Sequence, residues 1–275
     1  LKSYELRADL SRNTRGVPVV NVIPLTDKEH INSVVAVSNL NKEDQYLVLA
    51  TKNGQVKRVS FDQLSNIRRA GLIIMNLRGN DELVTARLAA EDDHVIMVTQ
   101  QGMSIRFPIT EVTARLRAAG GVRGVLLLNR DKVIAMDIVI HDSKLLVISK
   151  KGYGKLTDLN RYRTQGRGGK GIKTLNVTKK TGQVAAAQVI ADSDELYVVS
   201  AKAQVLRTNL SEIRSTGRAT QGVTIFKLES GDSVASIACV SELEVPDAET
   251  GVTMISTNGK EYGNGNDNVP KVDLK

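Results

Sequence analysis

Hydrophobic and polar positions alternate along this chain in short blocks, with no sustained helical rhythm. Four six-residue runs rich in aliphatic and β-branched side chains, at 46–51, 94–99, 144–149 and 195–200, each close on Ser or Thr. A turn follows every run, at Gly54, Gly102, Gly152 and Ala203, and then a strand that carries cations: Lys57 and Arg58, Arg106, Lys155, Arg207. The turn positions lie 48, 50 and 51 residues apart, which marks a repeat of about 50 residues. Further along each unit, a leucine or isoleucine followed by arginines leads to a Gly-aliphatic pair. The pairs are Gly71-Leu72, Gly124-Val125, Gly171-Ile172 and Gly222-Val223, with an earlier copy at Gly16-Val17. Each pair predicts a strand, and an acidic or glycine turn (Asp81-Glu82, Asp131, Gly182, Gly231-Asp232) predicts one more beyond it.

Short β-branched strands between Gly and Asp turns make an all-β chain in which helices are scarce. Four strands per unit fit a propeller-like blade, and blades packed side by side bury a core that no single blade forms alone. The expected boundaries are a partial blade at 1–40 and blades at 41–90, 91–140, 141–191 and 192–242, forming one domain over 1–245. A tail at 246–275 is expected to hold at most one strand, at 252–256, before a polar, disordered end. Residues 1–6 read as the basic strand that follows a turn, so the chain is expected to start inside a blade of an incomplete ring of five to six.

Composition narrows the classes. With 41% hydrophobic residues, a chain of 275 residues buries a substantial core, which excludes disorder throughout. The longest apolar runs, such as 124–128 and 145–148, fall far short of the roughly 20 residues that span a bilayer. Leu1 opens no signal peptide, so the expectation is a cytosolic chain without a membrane partner. Cys239 is the one cysteine, which excludes an intrachain disulfide and a cysteine-based metal site; it reads as a buried strand thiol. His30, His94 and His141 lack partners at ligand spacing, and no carboxylate pair stands out, so neither a metal site nor a catalytic residue is predicted.

Charge changes the picture more. The chain carries a net +8, and the stretch from Lys144 to Lys173, with nine basic residues and one acid, holds a surplus of the same size. At its end, Gln165-Gly166-Arg167-Gly168-Gly169-Lys170-Gly171-Ile172 alternates cations with glycines. Gly166, Gly168, Gly169 and Gly171 let a backbone turn tightly and approach a surface, presenting Arg167, Lys170 and Lys173 to phosphates. The run satisfies GxGxxG, with Asp192 at a dinucleotide-fold distance, but strand-type residues follow where a helix must start, so that reading is rejected. A Walker loop fails because Gly171 follows Lys170. Tyr153 and Tyr162 flank the run, yet aromatics make up only 3% of the chain, which disfavours base stacking.

The cations also recur. Lys57 with Arg58, Arg106, Lys155 and Arg207 are read as one phase of the repeat. Arg68 with Arg69, Arg115 with Arg117, Arg161 with Arg163, and Arg214 with Arg218 are read as another, and Arg123 is a further candidate for contact with DNA. Lys and Arg are ordinary on the wet face of a sheet, but repetition at one phase predicts charge along one rim, suited to nucleic acid or an acidic protein.

These residues resemble a known family, the C-terminal domain of the DNA gyrase A subunit, with its topoisomerase IV relative. The likeness covers roughly residues 1 to 240. It is carried by the runs at 11–21 and 81–84, by Gly152-Tyr153-Gly154-Lys155, by the basic run at 161–172 and by Gly217-Arg218-Ala219-Thr220-Gln221-Gly222-Val223. The resemblance implies a β-pinwheel whose blades exchange strands and whose basic perimeter bends duplex DNA, in the cytoplasm on the nucleoid. It implies partners outside this chain, the N-terminal core of the gyrase A subunit, in an A2B2 assembly with the gyrase B subunit, which together supply ATP, Mg2+ and the DNA-cleaving tyrosine. The family's box motif, Gln-Arg-Arg-Gly-Gly-Lys/Arg-Gly, belongs to its first blade. Here Gly166 replaces the first arginine and the run lies in the third of four complete units, so it reads as a box-like copy, with the box-bearing blade expected upstream.

Overall fold

A computed structural model describes residues 17–23, 25–26, 29–37, 44–64, 71–191 and 195–240. Arg68, Arg69, the strand expected at 1–6 and the tail expected after 245 lie outside the described residues. The chain divides into two compact units, Leu1–Glu242 and Leu243–Lys275, and every described residue belongs to the first.

Each repeat folds first as a hairpin. The pairs are β1 (Gln45–Thr51) with β2 (Gln55–Ser60), β4 (His94–Thr99) with β5 (Met103–Pro108), β8 (Lys144–Ser149) with β9 (Tyr153–Asp158), and β12 (Glu195–Ser200) with β13 (Val205–Asn209). The Ser or Thr that ends each apolar run has a local task. Its hydroxyl accepts the amide of the residue four positions on, at 3.1 Å for Thr51 with Gln55, 3.2 Å for Thr99 with Met103, 3.2 Å for Ser149 with Tyr153 and 3.1 Å for Ser200 with Gln204. These side chains are buried, so a hydroxyl bonded to the turn satisfies a donor that water does not reach.

A third strand pairs with the first of each hairpin: β3 (Leu83–Ala90), β7 (Val133–Ile138), β11 (Val184–Ile190) and β15 (Val234–Val240). The fourth strand of a sheet comes from the next repeat. β6 (Val122–Arg123) pairs with β2, β10 (Ile172–Lys173) with β5, and β14 (Val223–Thr224) with β9. The sheet orders are therefore β3-β1-β2-β6, β10-β5-β4-β7 and β11-β8-β9-β14, with β13-β12-β15 as the fourth sheet among the described residues. The register moves one expected strand: in the second unit it follows Gly121, not Gly124, because Val122 pairs with Val56 as Ile172 does with Ser104.

The core lies between successive sheets. Val95 and Met97 face back onto Val48 and Val56, while Ile96 and Val98 face forward onto Leu145 and Val147. Leu146 and Ile148 continue onto Leu196 and Val198. Because both faces of β1, β4 and β8 are covered, these strands read as unbroken apolar runs rather than alternating ones, whereas β12 is fully buried on one face only. Each fully buried side chain contributes about 1.5–3 kcal/mol. The third strands pack one against the next, from β3 to β7, β11 and β15, which makes them the inner edge. The exchanged strands stand at the opposite edge of their sheets, so the loops that lead into them form a rim. Helix occurs among the described residues only as 3-10 turns, as at Ile109–Glu111 and Leu159–Arg161.

Candidate nucleic-acid interface

Three rim loops follow one plan over 115–121, 165–171 and 216–222. Each has arginine third (Arg117, Arg167, Arg218) and glycine last (Gly121, Gly171, Gly222). The backbone establishes the equivalence: Arg115 N donates to Arg58 O at 3.2 Å, Gln165 N to Arg106 O at 2.8 Å and Thr216 N to Leu156 O at 2.9 Å. Every loop thus runs beside the second strand of the preceding sheet before entering its own exchanged strand. The closing glycine is needed there. Gly171 has φ +73°, and a Cβ on it would stand 2.3 Å from Ser104 O. Gly168 turns with φ +80°, whereas a Cβ on Gly166 or Gly169 would meet only ordinary contacts.

Each later loop also touches the segment that follows the exchanged strand before it. Gly168 N donates to Gly124 O at 2.6 Å, Leu126 N to Gly169 O at 2.8 Å and Asn176 N to Thr220 O at 2.9 Å. Along this rim Arg115, Arg117, Arg123, Arg163, Lys170, Lys173 and Arg214 are exposed and Arg218 is half-buried; none forms an ion pair among the described residues. Arg161 is exposed but ends the 3-10 turn Leu159–Arg161, 3.5 Å from Asp158, so it does not share the loop phase expected for it. The loop arginine of that unit is Arg167. It is exposed yet tied down: its Nε donates to Glu111 O at 2.8 Å, its Nη1 to Arg123 O at 3.1 Å, and its amide to Glu111 Oε2 at 2.7 Å.

The strand cations do not belong to this surface, which corrects the first predicted phase. Lys57 and Lys155 are 1% and 0% exposed. Arg58 is buried, ion-paired to Glu91 at 3.0 Å and stacked over Tyr46 at 4.4 Å. Arg106 is half-buried and donates to Leu159 O at 3.1 Å. Arg207 stays exposed, paired with Glu195. Lys57 and Lys155 stand three residues after the turn and the arginines four, and a step of one residue along a strand reverses the face. What reads as one phase in the sequence is two.

Lys57 Nζ donates to Ile74 O, Leu116 O, Arg117 O and Ala119 O at 2.7–2.9 Å. Lys155 Nζ donates to Gly217 O at 2.6 Å, to Arg218 O and to Thr220 Oγ1 at 3.1 Å. Burial, aided by the neighbouring Arg218, pushes the Lys155 ammonium down to about 8. Burial and Arg115 lower Lys57 in the same direction. His94 is lowered by burial, then by Arg106, whose Nε lies 3.4 Å away. Tyr162 is inside the core, 2.5 Å from Thr174 Oγ1, and Tyr153 lies beneath Lys180. Glu111 escapes a reading of the sequence; its sole signal is its place in the repeat, where the other units carry Arg161 and Glu212.

An all-β repeat whose sheets borrow a strand from the next unit and whose borrowed-strand loops carry a row of cations is a strand-exchanged, propeller-like protein with a basic rim. A family model described as DNA gyrase C-terminal domain, beta-propeller, matches residues 1–38, 45–90, 93–140, 143–191 and 194–241. The chain belongs to that family. The DNA gyrase A subunit of Staphylococcus aureus strain MRSA252 is 36% identical over 263 residues, covering 95% of this chain and 30% of the relative. Its counterpart from strain NCTC 8325 is 36% identical over 266 residues. The chain thus spans about 30% of the length of the curated relatives it matches. A solved DNA gyrase A C-terminal domain superposes with a TM-score of 0.75 at 26% identity, covering 87% of this chain and 78% of that one. A C-terminal domain of DNA topoisomerase IV gives 0.77 at 24% identity, over 82% and 71%, a likeness of fold.

Proposed function

We propose that this chain is the DNA-binding and DNA-bending domain of a bacterial type IIA topoisomerase, the DNA gyrase A subunit, rather than topoisomerase IV. The observation that carries the reading is the row of unpaired cations on three consecutive rim loops, each loop bound to the sheet before it. Phosphates accept from such cations without regard to sequence, and a curved row of them favours a curved duplex. Bending about 40 base pairs through a half-turn costs on the order of 10 kcal/mol by the elastic estimate. Roughly 6 to 10 phosphate contacts at about 1 kcal/mol each offset that. Bond cleavage, ATP and Mg2+ belong in this reading to the rest of the gyrase A subunit, together with the gyrase B subunit, its partners in the cytoplasm.

Salt titration tests it. Affinity for a mixed-sequence duplex should fall roughly a thousandfold between 50 and 200 mM salt if about six phosphates are neutralised. The triple variant Arg117→Ala, Lys170→Ala, Arg214→Ala should flatten that fall, while an acidic competitor protein leaves it unchanged. A wild-type titration without slope overturns the reading; displacement by the acidic protein would favour a scaffold for acidic partners.

A further inference from the structure

Two of the three rim loops are gripped from below by a lysine that no solvent reaches. Lys57 fills a crown of carbonyls from the loop 115–121, and Lys155 fills one from the loop 216–222. The middle sheet has Ile105 at the equivalent position, 0% exposed and packed near Gly169. Isoleucine therefore satisfies the packing at this place, and the sheets do not need a cation there. What the lysine adds is a hold on the next repeat's loop. The middle loop, which lacks it, is held from the other side, by the Glu111 carboxylate on the Arg167 amide and by the Glu111 and Arg123 carbonyls on the Arg167 guanidinium. Every loop thus has one charged clamp, and the clamp closes on the arginine at the loop's third position or on the peptide beside it.

We propose that Lys57, Lys155 and Glu111 are positioning residues for nucleic-acid contact: without touching a phosphate, they aim the cations of their loops along the rim. The proposal rests on the rim reading above. It separates two kinds of charge in one repeat, those that meet the polyanion and those that hold the loops in register for it. An ammonium with several carbonyl acceptors leaves the loop one favoured conformation. A neutral side chain of the same length leaves it several, in which Arg214 and Arg218 or Arg115 and Arg117 no longer follow the curve.

The test measures affinity for a mixed-sequence duplex of about 40 base pairs against salt concentration, together with the end-to-end bend by fluorescence transfer. The proteins are wild type, Lys57→Met, Lys155→Met and Glu111→Ala, each shown to be folded by a denaturation curve. Losing one aligned cation lowers the logarithmic salt slope by about 0.9, so the fall between 50 and 200 mM shrinks roughly 3.5-fold for each cation that a removed clamp leaves out of line. The bend should relax as well. A side chain that only stabilised the sheets would shift the denaturation midpoint and leave the slope of the folded protein untouched. If wild type shows the steep slope and all three variants run parallel to it with the same bend, the proposal is overturned and the rim reading stands. A flat wild-type titration overturns the rim reading itself. Should Lys155→Met fail to fold, Glu111→Ala on the exposed side still decides the matter.

Discussion

At the scale of single residues, Lys155 holds a charge where water does not reach, and its titration is correspondingly displaced. The ammonium meets three acceptors with its three protons, but desolvation still brings it down to about 8 from the ordinary lysine value of 10.5. The folded chain therefore binds that proton less tightly than the unfolded one. Below about pH 8 both states hold it, and its burial weighs against folding. As pH rises from about 8 towards 10.5 only the unfolded chain keeps it, so this group adds stability on the alkaline side and loses it as pH falls back through 8. Wild type should gain on the order of 2 kcal/mol relative to Lys155→Met between pH 7 and pH 9.5, read from urea denaturation at the two values. Glycine at the loop end is legible in the sequence in part: Gly171 has the positive φ expected of it, but the backbone it approaches closely is Ser104 of the preceding sheet. Lys155 is not legible as a clamp, because the same cation three residues beyond a turn looks alike whether water or a carbonyl crown awaits it.

Elements in this fold are closed by their turns. Asp131 sits where the third strand of its unit begins and accepts from Thr99 Oγ1 at 2.5 Å, Gln101 N at 2.9 Å and Lys132 N at 2.8 Å, so one buried carboxylate joins the hairpin turn to β7. Asp81 occupies the same place one repeat earlier and takes the amides of Asn53 and Glu82, each at 2.9 Å, with its carboxylate half-buried. Asp131→Ala should cost about 1–3 kcal/mol through the donors it leaves unpaired, and Asp81→Ala less, since water replaces part of what is lost. Chemical denaturation of the two variants ranks them, and an equal effect would count against burial as the cause. Strands and turns of this kind can be read from sequence because the run, the hydroxyl and the glycine all lie within ten residues. The exchanged strands cannot. Val122, Ile172 and Val223 pair with residues nearly 70 positions earlier, and a two-residue strand carries too little pattern to name its partner.

Taken whole, the molecule sets the cation-bearing loops of successive repeats ahead of the exchanged strands, at one edge of their sheets. If the rim acts through its continuity, two cations removed from one loop should relax a bent duplex less than two removed as one from each of two adjacent loops, because adjacent loops share the curve. Fluorescence transfer on labelled duplexes, comparing Arg115→Ala with Arg117→Ala against Arg117→Ala with Lys170→Ala, checks this; equal relaxation speaks for independent contacts. The repeat of about 50 residues, the all-β class and the excess of charge were each determined by sequence alone, since apolar runs, turn residues and net charge act locally or add up without geometry. Which cations face outward was decided only by the tertiary structure. Lys57, Arg58, Arg106, Lys155 and Arg207 share the loop cations' chemistry and periodicity, yet they end in carbonyl crowns or against Glu91, Leu159 and Glu195. The physical reason is the strand's period of two. A step of one residue exchanges the two faces of a sheet, and in stacked sheets what each face meets is set by a neighbour supplied from another repeat.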